Sequence, residues 1–309
     1  MVWPGAVMAE QTRVTEYDTG AFGKINVLHR LCPLCAHDNA AEPASRYSHD
    51  IWKVKTCAHC GFVYIEKAPT YETLFTNMAW ERTTKVEEVR RSEIRPFSYK
   101  FSKTTRKRLH LLPRKKMHLL VRKYAKAGNV IDLGCGNGGH MDHLDDRFVP
   151  FGVEISTLLA GMADELFRQH GGRAVNAPSI EGLREFPDGF FSAASLRSYL
   201  EHEMEPLPVL RELHRTLVPG GVVIVKVPNY GCLNRMVMGR RWCGFRYPDH
   251  LNYFTPGTLR AAAEACGFRA WFGLTFRLPT SDNMYAILSK ASTPGSTGGS
   301  GLARGQHGG

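Results

Sequence analysis

Residues 130–139 read VIDLGCGNGG: an apolar run ends in an acid, and four glycines fall within the six positions 134–139. Few folds use such a stretch. The run Asn129 to Leu133 suits a buried strand, and the glycines allow a tight turn to which a ligand can come close. The following HMDHLDDRF reads as a helix, which completes the strand–loop–helix context of a nucleotide-type site. A phosphate-binding Walker loop is excluded, because no Gly-Lys-Ser or Gly-Lys-Thr ends the loop. Gly134, Gly136 and Gly139 do meet the Gly-x-Gly-x-x-Gly spacing of dinucleotide folds. Asp132 argues against that ligand, since a carboxylate beside a pyrophosphate is repulsive. A ligand with a cationic amine and no phosphate tolerates it. A side chain placed at Gly136 is expected to enter the ligand's space at little cost to the fold.

Two Cys-x-x-Cys turns lie upstream, CPLC at Cys32 and Cys35 and CAHC at Cys57 and Cys60, with twenty-one residues between them. Each turn can aim two thiolates at one ion, and two such turns complete a tetrahedron. The segment between holds aromatic and β-branched residues suited to short strands, and Gly61 can supply a left-handed knuckle residue. The pattern predicts a structural zinc ribbon. The alternatives are two disulfides or four unrelated thiols, and four thiolates leave no open position for catalysis. His29, His37, His49 and His59 read as solvated or outer groups. Metal removal is expected to loosen the N-terminal region and leave the core of the following domain intact.

From Pro69 the pattern turns helical, and Lys100 to Lys126 carries eleven Lys or Arg and no acid. Pro113 separates two helices there, the second with Met117, Leu120, Val121 and Tyr124 at helical spacing. Together with a formal charge of +11, this region is either a packed amphipathic helix with solvated charges or a surface for RNA. No run of eighteen apolar residues occurs, and the first residues lack the pattern of a signal peptide, so a cytoplasmic protein is expected. After Lys290 the Gly/Ser-rich sequence reads as a disordered tail.

VIDLGCGNG resembles the first motif of the class I S-adenosylmethionine (SAM) dependent methyltransferases, and the resemblance runs from about Lys126 to Lys290. It implies an α/β fold: a Rossmann-like doubly wound sheet with an antiparallel final strand, here joined to the small zinc ribbon by a helical linker. It also implies that Asp132, Gly134, Gly136 and Gly138 line SAM, with Cys135 in the same loop filling a packing position beside the methionine part. FVPFGVEIS is similar to the second strand of that family, and its end acid Glu154 matches the residue that binds the ribose hydroxyls. Adenine is expected near Ala177, Pro178 and Ser179. No acid stands at Asn176 or Ala177 where the family often has one, so either backbone groups hold the base or the register sits one or two residues away. Ser192 stands where an Asp is usual. LEH at Leu200 to His202, LVPGG before the apolar VVIVKVPN, the Thr255–Pro256 helix start and a final strand pair continue the resemblance.

Methyl transfer from SAM is an in-line displacement, and a hydroxyl or enolisable carbon acceptor needs a base. The candidates are His202, His250, Tyr199 and Tyr253, the histidines for their neutral-range pKa. The long segment Asn229 to Thr255 is expected to cover the acceptor, with Arg240, Arg241 and Arg246 either solvated or holding an anionic group. The division expected is an extension at 1–27, the ribbon at 28–66, a basic helical connector at 67–125, the SAM domain at 126–290 and the tail at 291–309. The function expected is methylation of a small acceptor in specialised-metabolite or modified-sugar biosynthesis. The rivals are an RNA base methyltransferase and a non-catalytic SAM-binding or zinc-ribbon interaction protein.

Overall fold

The computed structural model describes residues 14–19, 23–70, 73 and 116–292. Most of the basic connector, including Lys100 to Lys115 and Pro113, and the tail beyond residue 292 lie outside the described residues. Among those described, no helix is long and apolar enough to cross a membrane.

The chain opens with strands β1 (Val14–Thr19) and β2 (Gly23–His29), an antiparallel pair. Alternation explains β2: Ile25 and Val27 are buried, while Lys24 and Asn26 are exposed. Short strands β3 (Val54–Thr56), β4 (Val63–Ile65) and β5 (Lys67–Pro69) follow, with β5 pairing β2. The stretch expected as a plain extension is therefore partly sheet. Helix α1 (Met117–Tyr124) buries Met117, Leu120 and Val121, as their spacing predicts.

Most of the remaining strands build one large sheet. The elements that follow are β6 (Gly128–Leu133), β7 (Phe148–Glu154), α2 (Thr157–Arg168), β8 (Arg173–Asn176), α3 (Ser179–Arg184), β9 (Phe191–Arg197), α4 (Pro206–Thr216) and β10 (Leu217–Pro228). Then come α5 (Leu233–Met238), β11 (Asn252–Tyr253), α6 (Pro256–Ala265), β12 (Phe268–Trp271) and β13 (Asn283–Lys290). The seven-stranded order is β12-β13-β10-β9-β6-β7-β8. Along the sheet β10, β9, β6, β7 and β8 pair parallel in that order, and β13 enters antiparallel between β10 and β12. This is the expected doubly wound α/β sheet with an antiparallel final strand. Its central strands read as continuous apolar runs because both faces are covered: Ile131 and Leu133 of β6 enter one core cluster and Val130 another. LVPGG becomes part of β10 itself, with a register shift between Leu217 and Val222. Thr255 and Thr258 cap α6 reciprocally, with Pro256 in its first turn.

Two expectations change here. HMDHLDDRF is not a helix; it descends through consecutive turns, with Met141 N–H on Gly138 O, Leu144 N–H on Met141 O and Phe148 N–H on Asp145 O. Its glycine start and its aspartates favour such local turns over a short helix. Nor does the ribbon have a core to itself. β3 and β4 are joined in their sheet by β11, from the far end of the chain, with Asn252 opposite Tyr64 and Tyr253 opposite Val63. Cys32, Leu34, Cys57, Phe62 and Tyr64 share a hydrophobic cluster with Leu133, Val225 and Leu259. Phe62 meets Phe254 at 5.0 Å between ring centroids. Buried Arg30 locks the junction: Nη1 donates to Ile65 O (3.1 Å) and Nη2 to Met204 O (2.8 Å) and Asn252 Oδ1 (3.0 Å).

Candidate active site

The strand order reverses between β6 and β9, and open α/β sheets bind ligands beyond the carboxyl ends of the strands at such a switch point. The glycine loop leaves β6 there. Gly134 holds φ +65°, and a Cβ on it would stand 3.0 Å from the Tyr199 ring, so only glycine lets the turn after β9 close over the loop. Gly136 has φ +56°, and among the described residues beyond its chain neighbours no atom lies within 4 Å of where a Cβ would be. The Cys135 thiol is buried with Met141 and Phe167, and a Cβ on Gly152 would lie 2.5 Å from it. That is the expected packing role, and it leaves only the Cys135 backbone to line the loop.

Two carboxylates flank the loop. Asp132 is 3% exposed, and its Oδ1 has no hydrogen-bond partner among the described residues. Burial pushes its pKa up to about 7, against the pull of Ser195 and Arg197. Glu154 ends β7 and bridges two backbone groups, Oε2 accepting from Gly136 N–H and Oε1 from Ser156 N–H, each at 2.9 Å. At the end of β8, exposed Asn176 donates to Glu154 O and Ile155 O, both at 3.0 Å. Ala177 and Ser179 follow directly, half-buried, with Ser179 opening α3.

On the β9 side the structure brings three of the four candidate bases to one turn and its neighbour. The Tyr199 hydroxyl bonds to Glu203. The rings of His202 and His250 are 4.8 Å apart and nearly perpendicular. His202 Nδ1 lies 2.8 Å from Asp249 O, and His250 Nδ1 lies 2.7 Å from Gly244 O. Burial, and then Arg246, push the His202 pKa down to about 4, so the imidazole is neutral at pH 7. Tyr253 stands apart: it is buried among Tyr230, Phe245 and the ribbon residues Val54 and Val63. Burial drives its pKa well above the ordinary phenol value. Arg246, expected as solvated or substrate-binding, pairs with Asp249 at 3.0 Å.

The sequence reading missed Glu201. It is 1% exposed, its buried Oε2 has no hydrogen-bond partner among the described residues, and burial pushes its pKa up to about 8. Its position inside the LEH motif was the available signal. The histidine pair is set by hydrogen bonds across the fold. Leu251 and Asn252 N–H donate to Glu201 O at 2.7 and 3.0 Å, and Asn252 Nδ2 donates to Leu200 O at 2.8 Å.

The four cysteines converge. Cys32 and Cys60 Sγ are 3.5 Å apart, as are Cys35 and Cys57 Sγ, and all four lie within 4.8 Å of one another. A tetrahedron with Zn–S bonds near 2.3 Å needs about 3.8 Å between sulfurs, whereas a disulfide needs about 2.05 Å. The thiols are free, and the cluster has the form of a small metal-binding module. Its two knuckles match: Ala36 and Gly61, each next after the second cysteine of its pair, have φ +58° and +70°.

A family model described as a methyltransferase domain matches residues 105–271. Among curated proteins, an uncharacterized 37.1 kDa protein in transposon TN4556 of Streptomyces fradiae is 29% identical over 111 residues, covering 34% of this chain and 31% of that protein. The chain thus matches under a third of that relative's length. Among solved structures, a SAM dependent methyltransferase from Archaeoglobus fulgidus aligns at 18% identity and TM-score 0.44, over 63% of this chain and 100% of its own. A SAM-dependent methyltransferase from Methanosarcina mazei aligns at 16% identity and TM-score 0.44, over 56% and 98%.

Proposed function

The chain belongs to the methyltransferase-domain family, and on that premise we propose that it moves the methyl group of SAM to a small organic acceptor, in specialised-metabolite or modified-sugar biosynthesis. The observation that carries the reading is the crevice beyond β6. It pairs a buried carboxylate oxygen lacking a partner, on Asp132, with an open cradle at Gly136 that any Cβ would begin to fill. Both features fit SAM, whose methionine end carries an amine and no phosphate. Asp132 and the backbone of Gly134, Cys135, Gly136 and Gly138 would hold that end. Glu154 would accept from the ribose hydroxyls, and Ala177 and Ser179 would border adenine. When bound, the cofactor supplies a sulfonium methyl for in-line displacement. The chain aligns the acceptor, excludes water and takes up the acceptor's proton.

The proton acceptor is an imidazole Nε2 of His202 or His250. A carbonyl only accepts hydrogen bonds, so the carbonyls at Asp249 and Gly244 place the proton of each ring on Nδ1 and leave Nε2 unprotonated. Tyr199 borders the same turn, and Tyr253 shapes the wall behind it. The four cysteines hold a structural zinc, which fixes the two knuckles.

Calorimetry is expected to give a SAM dissociation constant on the order of 1–100 μM. Tight NAD binding without SAM binding would overturn the assignment. Gly136→Val is expected to weaken SAM by at least about tenfold, and its β-branched side chain at positive φ adds a backbone cost of roughly 1–3 kcal/mol to folding. The sequence reading left out that second cost.

The affinity for SAM is expected to depend on pH with a definite sign. Asp132 is held up to about 7 by burial, and a cationic amine favours its ionised form. Below pH 7 binding must release a proton, so affinity rises with pH by up to about tenfold per unit and levels off above 7. The ligand's own α-amine, near 7.7–8.0, then begins to lose its charge, which gives a maximum in between. Titrations at pH 5.5 to 9 in buffers of different ionisation enthalpy check this. A flat profile with no proton release would remove Asp132 from the role.

A further inference from the structure

We propose that Glu201, His202 and His250 form a second metal site, on the acceptor side of the crevice, for a divalent transition-metal ion. The proposal rests on the methyl-transfer reading, because it assigns the ion to the acceptor. One ligand atom from each residue lies within 4.8 Å of the others. Two imidazoles and one carboxylate are a donor set that such ions accept, with coordination positions left open.

Three further observations point to an ion. The first is the tautomer. Each histidine has Nδ1 on a backbone carbonyl, at 2.8 Å for His202 and 2.7 Å for His250. That is the outer contact by which metal-bound histidines are oriented, and it leaves Nε2 as the unprotonated nitrogen. The second is Glu201 Oε2, buried and without a hydrogen-bond partner among the described residues, in a residue that is 1% exposed. A buried carboxylate oxygen with no donor is costly, and a cation compensates it. The third is the rigidity of the frame. Glu201 O accepts from Leu251 and Asn252 N–H, so the strand after His250 is tied to the turn that carries Glu201 and His202.

Nearby charge narrows the acceptor class. Lys226 and Arg246 both act on the Glu201 carboxylate, and Asp249 balances Arg246 at 3.0 Å. With Glu201 ionised on ion binding, Glu201 and Asp249 together match these two cations. A divalent ion then adds positive charge that an anionic acceptor can offset. The site thus favours an acceptor with an ionisable oxygen, such as a phenol, an enol or a hydroxy acid. On the ion, the acceptor's O–H bond breaks with its electron pair kept by oxygen, and the proton is released to bulk solvent as the acceptor binds, before water is excluded. The imidazoles are then ligands, and direct proton transfer to them is replaced.

The test is a titration of the reduced, zinc-loaded full chain with Co²⁺, followed by visible absorption. One equivalent is expected to bind beyond the zinc and to give d–d bands without thiolate charge-transfer absorption. E201Q and H202N are each expected to lose that equivalent while keeping one zinc per chain by elemental analysis and SAM binding by calorimetry. Two variants are used so that a folding defect in one, seen by circular dichroism, leaves the other to report. No second equivalent in the unsubstituted protein overturns the proposal, as does one that persists in both variants. Loss of SAM binding in the unsubstituted protein would instead strike the methyl-transfer reading, which the Co²⁺ spectrum does not probe.

Discussion

Replacing Cys57 with serine is expected to lower the thermal midpoint of the chain by on the order of 10 °C or more, in one transition that carries the SAM site with it. Loss of a metal site is among the few single changes that cost more than about 4 kcal/mol, and a domain of this size loses roughly 2–4 °C per kcal/mol. The sequence alone suggests a milder result, with the ribbon loosening and the larger domain surviving. The structure removes that independence. Cys57 and Cys32 lie in the same hydrophobic cluster as β6 and β10. Strand β4, just after the second knuckle, pairs with β11, two residues beyond His250. Circular dichroism melting of C57S beside the parent protein, with elemental analysis for zinc, measures this. Two separate transitions, with the larger one at the parent temperature, would restore the milder view.

Substitution of either histidine is expected to cut turnover by about 10²–10⁴-fold with SAM affinity kept. His202 and His250 meet at 4.8 Å, while Asp132 and Glu154 flank the glycine loop at the ends of other strands, so acceptor chemistry and cofactor binding are separable in space. The double variant should lose little more than the worse single one, because groups that act as a unit are not additive. Single-turnover methyl transfer to a panel of hydroxylated acceptors, read with calorimetric SAM affinities, decides. An effect confined to KM, with kcat unchanged, would make the pair a binding surface and not chemical participants.

The large sheet was legible because its strands are apolar on both faces and its turns carry glycine, and because periodicity and turn chemistry are local signals. The cysteine spacing was legible for the same reason. What stayed hidden is non-local. Nothing in DHLNYF states that Asn252 and Tyr253 complete a sheet begun nearly two hundred residues earlier, since two residues carry no period. Arg30 reads as an ordinary surface charge, yet it donates to Met204 and Asn252. Glu201 sat inside a quoted motif and was passed over because its neighbour His202 had the more familiar pKa; only its burial without a partner singles it out. The helix expected after the glycine loop failed because propensity over so short a stretch is weak beside turn-forming aspartates.

The strand shared between β4 and β11 also constrains how such a chain can change over generations. The carbonyls that Arg30 binds and the backbone edge that meets Val63 and Tyr64 come from segments far apart in the chain. A crossover that brings in a foreign N-terminal module would present a mismatched edge to the segment holding His250. Segments 28–66 and 229–255 are therefore expected to be inherited as a pair, and a chimera that keeps them together should fold where one that splits them does not. New acceptor specificity would have to arise by point substitution within that pair or by replacing both segments at once.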